Sequence, residues 1–268
     1  GEQDGLRETF YSKSNNNPFV LHGPIETRGN FKNGEEDGLW EEFHDNGQLK
    51  YRGNYKNGKE DGLWESFHEN GQLRVRGNFK NGEQHGPWEW FHENGQPKQR
   101  GNYKDGKRDG LWEVFYSISN NNPFVLHGQL IYRGNYKVGK RNGSWEWFHE
   151  NGQLKEKGNY KDWKLEGLWE EFHENGQLKS RRKYKNGLPE NPWEGFHDNG
   201  QLYYRENWKN GKREGLWESF HENGQLFYRE NWKNDKRDGL CEEFHKNGQL
   251  WMRNTYKNDE RCLTERFD

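Results

Sequence analysis

The feature that most constrains the fold of this chain is a sequence motif that recurs every 24 residues along almost its whole length. One clear copy runs over residues 62–82. A fixed period of this length is typical of an array of supersecondary units that bury their apolar faces only against one another. The fold of one repeat therefore decides the architecture. The recurring tryptophan position holds Trp40, Trp64, Trp88 and Trp112, and later Trp145, Trp169, Trp193, Trp217 and then Cys241.

Two Asn-Gly steps divide each repeat and predict its turns. In the copy at residues 62–82 they are Asn70-Gly71 and Asn81-Gly82. Asn-Gly suits a two-residue type I′ turn, because both central residues need a positive φ angle. A turn of this type at Asn70-Gly71 makes the flanking segments an antiparallel hairpin. Its register pairs Glu65 with Arg76, Trp64 with Gly77, Phe67 with Arg74, and Gly62 with Phe79.

A ladder of opposite charges supports this register, because it places a glutamate opposite a basic residue in repeat after repeat. Opposite charges directly across an antiparallel pair stabilise it by roughly 0.2–1 kcal/mol. A wrong register would not bring complementary charges together each time. The further pairs are Glu41/Arg52, Glu89/Arg100, Glu146/Lys157, Glu170/Arg181, Glu194/Arg205, Glu218/Arg229 and Glu242/Arg253.

Strand alternation assigns the two faces of each hairpin. One face carries Trp64 and Gly77, where a ring can lie over bare backbone, and the other carries Glu65, Phe67 and Arg76. The sequence predicts an all-β, single-layer, elongated solenoid of about ten antiparallel hairpins, and one continuous array over residues 1–268. Within it, 1–33 and 112–138 are repeats with long hairpin turns, 181–253 are variant repeats, and 254–268 is a degenerate C-terminal cap.

Composition limits the possible partners. A net charge of −2 lacks the basic footprint of a nucleic-acid binder. No apolar run is long enough for a membrane span or a signal peptide, and two cysteines exclude a disulfide scaffold. We therefore expect no nucleic-acid partner and no membrane span, and the sequence favours a cytoplasmic location. Gly1 aligns with Gly34, in the middle of a repeat, so we expect the array to begin partway through, which leaves room for a leader before it.

The sequence predicts neither catalysis nor a metal or cofactor. Each glutamate of the charge ladder has a basic partner, which favours the ionised form and does not suit a general acid. Motifs for a nucleophile, a phosphate loop or a zinc site are missing. Histidines recur once per repeat about 10 Å apart, too far to share a zinc ion, so we interpret them as turn residues that bind local backbone groups. They are His44, His68, His92, His149, His173, His197, His221 and His245.

The repeat consensus resembles a known family. It reads Asn-Gly-Lys-x-Asp-Gly-Leu-Trp-Glu-x-Phe-His-Glu-Asn-Gly-Gln-Leu-x-x-Arg-Gly-Asn-Tyr-Lys. This phrase resembles the MORN-repeat family and is similar to the bacterial variant repeat of YwqK-type antitoxin proteins. The resemblance covers essentially the whole chain. It implies a β-hairpin solenoid that binds another protein, in some members as an antitoxin or immunity partner.

A row of aromatic residues is the first candidate site. In the early repeats the residue predicted to face the phenylalanine is basic, as in Lys50, Arg74 and Lys98, and the sequence predicts that its stem covers the ring. In the late repeats an aromatic residue takes this place, on a face that is otherwise charged. Exposed contiguous aromatics often mark an interface, and the alternative is that they cover the C-terminal end of the sheet. The late residues are Tyr203, Phe227 and Trp251, across from Phe196, Phe220 and Phe244.

Two long hairpin turns are the second candidate site. Almost the same segment lengthens the hairpin at residues 10–23 and again at 115–128. Loops on one edge of a solenoid often form its binding face. The alternative is a tolerated insertion that packs on its own hairpin. The apolar tips of these turns are Pro18 and Phe19 in the first, and Pro123 and Phe124 in the second.

These features favour a non-catalytic scaffold whose partner is another protein, such as a bacterial toxin that it neutralises as an antitoxin or immunity protein. One alternative is a glycan- or cell-wall-binding array, because aromatic-rich repeats also occur in cell-wall-binding modules. Another is a self-assembling structural protein that associates end to end, because an open sheet has unpaired strands at both ends.

Overall fold

The computed structural model describes residues 4–11, 23–117 and 128–267. Over these ranges the chain consists of strands and turns, and no helix that could span a membrane is found. It divides into two compact units, Gly1–Lys140 and Arg141–Asp268. Each is an open run of antiparallel hairpins in which consecutive strands pair. The prediction of an all-β array of hairpins with a 24-residue period is confirmed.

The N-terminal unit is a meander in which each strand pairs with its neighbours in the sequence. Its strands are β1 (Gly5–Phe10), β2 (Ile25–Lys32), β3 (Glu35–Phe43), β4 (Leu49–Lys56), β5 (Lys59–Phe67), β6 (Leu73–Lys80), β7 (Glu83–Phe91), β8 (Pro97–Lys104), β9 (Lys107–Phe115) and β10 (Leu130–Lys137).

The C-terminal unit continues the same pattern, except that one repeat is broken at Asn207 into shorter strands, of which β17 and β18 form a separate ladder. Its strands are β11 (Lys140–Phe148), β12 (Leu154–Lys161), β13 (Lys164–Phe172), β14 (Leu178–Lys185), β15 (Leu188–Phe196), β16 (Leu202–Glu206), β17 (Trp208–Lys209), β18 (Lys212–Arg213), β19 (Gly215–Phe220), β20 (Leu226–Lys233), β21 (Lys236–Phe244), β22 (Leu250–Lys257) and β23 (Glu260–Arg266).

Where the hairpin turn is short, it is a three-residue loop, and the predicted type I′ turn at this place is wrong. In the β5–β6 hairpin the amide of His68 donates to the carbonyl of Gln72, and the amide of Gly71 donates to the carbonyl of His68, both over 2.8 Å. Gly71 has a φ angle of 80°, whereas Asn70 does not enter the left-handed region. This is a type I turn followed by a left-handed glycine, the usual way to close a three-residue hairpin loop.

The extra loop residue changes the pairing next to the turn. Phe67 pairs with Leu73, so the predicted pairing of Phe67 with Arg74 is wrong. A bulge between Ser66 and Phe67 then restores the predicted register. Farther from the turn the prediction is confirmed, with Glu65 opposite Arg76, Trp64 opposite Gly77, and Gly62 opposite Phe79.

The turn between successive hairpins is the one with type I′ geometry. Between β6 and β7, Asn81 and Gly82 have φ angles of 51° and 83°, and Lys80 pairs with Glu83 on either side. A positive φ at both central residues defines this turn and explains why Asn-Gly recurs here. The two Asn-Gly steps of one repeat therefore build two different turns.

In the repeats that keep the glycine, the tryptophan lies over the glycine of the preceding hairpin. A Cβ atom added to Gly77 would lie 2.1 Å from Cδ2 of Trp88, so the indole rests directly on the backbone. Trp88 also pairs with Gly101 of its own hairpin, as the sequence predicts, but the ring that covers Gly101 belongs to Trp112. The same contact joins Trp40 to Gly29, Trp64 to Gly53 and, in the C-terminal unit, Trp169 to Gly158.

Aromatic rings form the core of each unit, because they supply the buried area that the sparse aliphatic residues do not. Phe79 lies between Trp64 and Trp88 in edge-to-face contacts, with ring centroids 5.6 and 5.1 Å away. Tyr103 similarly contacts Trp88 and Trp112, and the Trp112 side chain is completely buried. A stripe of alternating indoles and smaller rings thus crosses the hairpins on one face.

The charge ladder also joins successive hairpins. The predicted glutamate and arginine pairs are opposite each other in the backbone register, but the guanidinium binds the glutamate of the following hairpin. Arg76 Nε, for example, contacts Glu89 Oε2 at 2.5 Å, and its guanidinium lies 6.0 Å from the ring centroid of Phe91. The corresponding ion pairs are Arg28–Glu41, Arg52–Glu65, Arg100–Glu113, Lys157–Glu170, Arg181–Glu194, Arg205–Glu218 and Arg229–Glu242.

The Gly77→Ala substitution tests the contact between the indole and the glycine. We expect it to lower the free energy of unfolding by about 1–3 kcal/mol, because the added methyl overlaps the Trp88 ring. Urea unfolding of Gly77→Ala, Trp88→Leu and the double variant measures the coupling. The cost of Gly77→Ala should be largely lost in the Trp88→Leu background, since the overlapping ring is gone. Equal costs in both backgrounds would contradict this assignment.

Glu242 makes stability depend on pH. Burial alone would raise the pKa of this carboxyl, but hydrogen bonds from Arg229 and Arg253 outweigh it and hold the pKa below its usual value of 4.5. The stabilisation is therefore present above about pH 4.5 and is lost as the pH falls through the folded-state pKa. Glu242→Gln should lower the free energy of unfolding by roughly 1.5–3 kcal/mol at pH 7, and the deficit should shrink toward pH 3.

Urea unfolding between pH 7 and pH 3 measures this effect. The exposed Glu69→Gln is the matched control and should change the free energy of unfolding by less than about 0.5 kcal/mol. A deficit of Glu242→Gln that stays constant over this range would show that its ionisation does not contribute.

Candidate functional site

The histidine row lies at the turn ends of the hairpins, and five of its members tie their turn to the next hairpin. Nε2 of His68 donates to the carbonyl oxygen of Phe91 over 3.1 Å, and since a carbonyl only accepts, that nitrogen carries a hydrogen. The backbone group thus belongs to the following hairpin and not to the histidine's own turn. The same bond links His44 to Phe67, His149 to Phe172, His197 to Phe220 and His221 to Phe244, over 3.2, 3.0, 2.9 and 3.5 Å.

The asparagine of the hairpin turn reinforces this row. Oδ1 of Asn199 accepts from the amide of Gln201 at 3.0 Å, and its Nδ2 donates to the carbonyl of Glu222 in the next turn at 2.9 Å. Both ends of the side-chain amide are therefore engaged, which fixes neighbouring turns relative to each other. Among the described residues, no group of three or more His, Cys, Asp or Glu side chains is placed to hold a metal ion.

A shallow groove opens between neighbouring turns in each unit. The N-terminal groove, of about 390 Å³, is lined by His68, Phe91, His92, Glu93, Asn94, Lys98 and Ser117. The C-terminal groove, of about 460 Å³, is lined by His197, Tyr203, Phe220, His221, Glu222, Asn223, Phe227 and Lys246.

The two grooves share one framework, and they differ at Lys98, where the C-terminal groove has Phe227, at Ser117, where it has Lys246, and in the added Tyr203. Both contain two histidines, a phenylalanine, a glutamate and an asparagine at equivalent places of the repeat. Lys98 follows His92 by six residues, and at the same distance Phe227 follows His221. Tyr203 follows His197 in the same way. At this position of the repeat, the N-terminal groove therefore has a basic side chain and the C-terminal groove has an aromatic one.

The late aromatic residues rest on the histidines across the turn. Tyr203 lies 4.8 Å from His197 and Phe227 lies 4.9 Å from His221, between ring centroids. Because the imidazoles are held by backbone hydrogen bonds, the aromatic rings have a fixed support. They remain open to solvent on the other side, with 50% of Tyr203, 46% of Phe227 and 41% of Trp251 exposed. Trp251 lies farther from its histidine, His245, at 6.1 Å.

The three phenylalanines predicted with this row are covered by ladder arginines, and one of them, Phe220, also lines the C-terminal groove. Phe196 pairs with Leu202 and not with Tyr203, so the predicted facing of the rings is wrong for the same reason as at Phe67. The three side chains are half-buried beneath the ladder arginines, which lie 5.7, 5.8 and 5.5 Å from the ring centroids. The pairs are Phe196 with Arg181, Phe220 with Arg205, and Phe244 with Arg229.

The cation over each phenylalanine is also misassigned by the sequence in the early repeats. Arg52, a ladder arginine, lies over Phe67 at 5.9 Å. The residue predicted to cover that ring, Arg74, instead donates from Nε to Oγ of Ser66 over 3.2 Å. Lys50 likewise binds the Glu42 carboxylate. The exposed part of the predicted aromatic patch thus consists of Tyr203, Phe227 and Trp251. The structure shows that each of these rings lies near the histidine of its own turn, which the sequence did not predict.

The second predicted site lies outside the described residues. Its tips are Pro18, Phe19, Pro123 and Phe124, and the described chain stops at residues 11 and 117 and resumes at 23 and 128.

A buried polar cluster replaces the indole-on-glycine contact near the C-terminal end. Glu230 and Cys241 are partners across β20 and β21, where other repeats place glycine and tryptophan. The Glu230 carboxylate accepts from the Tyr228 hydroxyl at 2.7 Å and from Nε1 of Trp232 at 2.8 Å. Arg237 contacts it at 3.0 Å. The carboxylate occupies space that an indole fills elsewhere.

The cysteine of this cluster is not suited to act as a nucleophile. Burial raises the pKa of Tyr228 and that of the Cys241 thiol, which donates to the tyrosine hydroxyl over 2.9 Å. A thiol with a raised pKa is a poor nucleophile. The sequence shows both substitutions, but the predicted hairpin register pairs Glu230 with Trp217 and Cys241 with Asn254. Glu230 and Cys241 meet between successive hairpins, and the signal that could have joined them is the turn at Asn234-Asp235 that connects β20 to β21.

Comparisons with known proteins agree with this architecture. A family model described as "MORN repeat variant" matches eight segments, and no curated protein matches the chain. The matched residues are 36–57, 60–81, 84–105, 141–162, 165–186, 189–210, 213–234 and 237–258.

Similar solved structures include two toxin assemblies. A structure described as TcdB2-TccC3 has a TM-score of 0.21 and 9% identity, and the match covers 88% of this chain and 15% of that one. The Photorhabdus luminescens Tc holotoxin pore has a TM-score of 0.20 and 10% identity, with 90% and 14% covered. This chain therefore spans only a small part of the length of these proteins. Because the family model matches more than half of its residues, the chain belongs to the MORN repeat variant family.

Proposed function

We propose that this chain is a non-catalytic repeat scaffold that binds another protein through the aromatic row Tyr203, Phe227 and Trp251. The observation that carries the proposal is the contrast between the two grooves, which share a framework but differ where Lys98 is replaced by Phe227. Membership of the MORN repeat variant family supports a scaffold or binding role. The likeness of the repeat to the bacterial variant supports the finer proposal that the partner is a toxin, neutralised in the manner of an antitoxin or immunity protein.

The geometry of the row suits a protein partner. Tyrosine and tryptophan dominate the energetics of protein interfaces, where they sit in a centre surrounded by polar residues. Here Tyr203 and Phe227 line the groove together with the polar residues Glu222, Asn223 and Lys246. Because the histidines already hold the rings, binding costs little additional side-chain entropy.

A triple variant tests the proposal directly. Tyr203→Lys, Phe227→Lys and Trp251→Lys together restore the basic character of the early repeats, so the fold should persist, as far-UV circular dichroism checks. The partner would be isolated by pull-down from a lysate of the source cells, purified, and titrated with each variant. We expect the dissociation constant to rise by at least about 100-fold, since hot-spot aromatics contribute 2 kcal/mol or more each.

The matched control places three lysines elsewhere on the same unit. Leu168→Lys, Leu188→Lys and Leu240→Lys replace side chains of similar exposure, and we expect the dissociation constant to stay within about threefold of the wild-type value. An equal loss of affinity for the partner in both triple variants would show that the added charge, and not the loss of the aromatic row, causes the effect. A protein partner bound equally by all three proteins would contradict the proposed site. Retention on polysaccharide or cell-wall resin that only the aromatic variant loses would contradict the proposed partner class and favour a glycan.

A further inference from the structure

We propose that the turn around Trp163 is a protein-binding surface distinct from the aromatic row, and that it takes an acidic segment of a partner protein with an apolar side chain in it. Trp163 lies in the turn that connects β12 to β13. In a run of antiparallel hairpins, the turns inside the hairpins and the turns between them lie at opposite ends of the strands. The aromatic row follows the turns inside the hairpins, so the two surfaces are on opposite edges of the sheet.

Trp163 occupies a backbone position that most other repeats give to glycine. Its φ angle is 71°, in the left-handed region, and Asp162 before it has a φ angle of 49°. A bulky side chain rarely adopts this region, because its Cβ atom crowds the backbone. Strained residues of this kind cluster at sites of function. The corresponding residues of the other connecting turns are Gly34, Gly58, Gly82, Gly106, Gly139, Gly187, Gly211, Asp235 and Asp259.

The indole of Trp163 is supported from below and open to solvent above. The Arg141 guanidinium lies 5.6 Å from its ring centroid and 4.3 Å from that of the buried Trp145, so the arginine connects the exposed ring to the core. The Trp163 amide also donates to the carbonyl of Arg141 over 3.1 Å. The Trp163 side chain is 51% exposed. A tryptophan that is already held in place loses little entropy on binding, and this residue type is a frequent hot spot of protein interfaces.

The charges around Trp163 indicate an acidic partner. Lys161 and Lys164 are directly opposite each other across the turn, an arrangement that destabilises an antiparallel pair. Both are exposed, and within the described chain neither makes an ion pair. The turn contains one acid, Asp162, and the next connecting turn is flanked by the exposed Lys185. Aspartate or glutamate of a partner would relieve the repulsion between the lysines while an apolar side chain packs on the indole.

A protein segment fits this surface better than an anionic membrane does. Binding to a membrane surface relies on a broad apolar face in addition to basic residues. Here the residues on either side of the indole are charged, and the ring itself is already half-covered. One half-covered ring is enough to pack against an apolar side chain of a peptide, whereas it offers little apolar area to a bilayer. Binding to anionic vesicles is therefore measured as the competing outcome.

Selection from a random dodecapeptide display library tests this surface with a defined probe. The full 268-residue chain is the bait, and the library is first depleted on the Trp163→Gly variant. We expect the enriched peptides to contain an excess of Asp and Glu together with at least one large apolar residue. Fluorescence anisotropy with a synthetic copy of an enriched peptide then measures affinity at low salt. Trp163→Gly should raise the dissociation constant at least about tenfold, because the indole is the anchor of the contact.

Charge reversal tests the basic part of the surface. Lys161→Glu with Lys164→Glu replaces one like-charged pair by another, so the turn should keep its stability while the dissociation constant rises at least about fivefold at low salt. The matched control is Lys209→Glu with Lys212→Glu, the same lysine pair beside a connecting turn that has glycine, and it should stay within about twofold of the wild type. The triple lysine variant of the aromatic row should bind the peptide like the wild type, which separates the two surfaces.

The melting temperature separates a binding role of Trp163 from a packing role. Glycine suits the left-handed turn, so Trp163→Gly should keep the melting temperature within about 2 °C of the wild-type value or raise it. A larger fall would show that the indole is retained for packing and would overturn the proposal. A selection that yields no acidic peptides dependent on Trp163 would also overturn it. Binding of the wild-type chain to phosphatidylserine vesicles that Trp163→Gly abolishes would overturn the proposed partner class in favour of a membrane.

Discussion

The structure depends on an indole ring that lies on the bare backbone of a glycine in the preceding hairpin. Trp88 on Gly77 shows why the glycine is needed, because any Cβ atom there would overlap the ring. A single hairpin has the glycine on one strand and the tryptophan on another, but neither covers the other. The ring is buried only when a second hairpin is present, which explains why the chain repeats one phrase at a constant spacing.

The polar contacts follow the same direction as the rings. The ladder arginine, the turn histidine and the turn asparagine each reach into the following hairpin, so one interface contains an apolar contact, an ion pair and backbone hydrogen bonds. Near the C-terminal end the glycine is replaced, and Glu230 and Cys241 form a polar cluster where an indole would lie. In the same region the exposed aromatic row appears. The C-terminal unit thus keeps the same hairpin pairing although the side chains at these positions differ from those of the early repeats.

Much of the fold could be predicted from the sequence, because charges and glycines recur at spacings that only one hairpin register satisfies. The partner of each side chain could not. Every inner strand has two neighbours, and the repeat places the same residue type on both sides, so Glu65 has Arg76 in its own hairpin and Arg52 in the preceding one. The turn was mistaken because Asn-Gly fits both loops. That error hid the contact between Tyr203 and His197, which lie across a turn of unexpected length.

The most direct test of the account is a length series taken from the N-terminal unit. Residues 35–56, 35–80 and 35–104 contain one, two and three complete hairpins, and their unfolding in urea can be fitted to a nearest-neighbour model. The account predicts that a single hairpin is unfolded, with an unfavourable free energy of its own, and that each added interface contributes a favourable free energy. A single hairpin that folds by itself, with little gain on lengthening, would contradict the central claim.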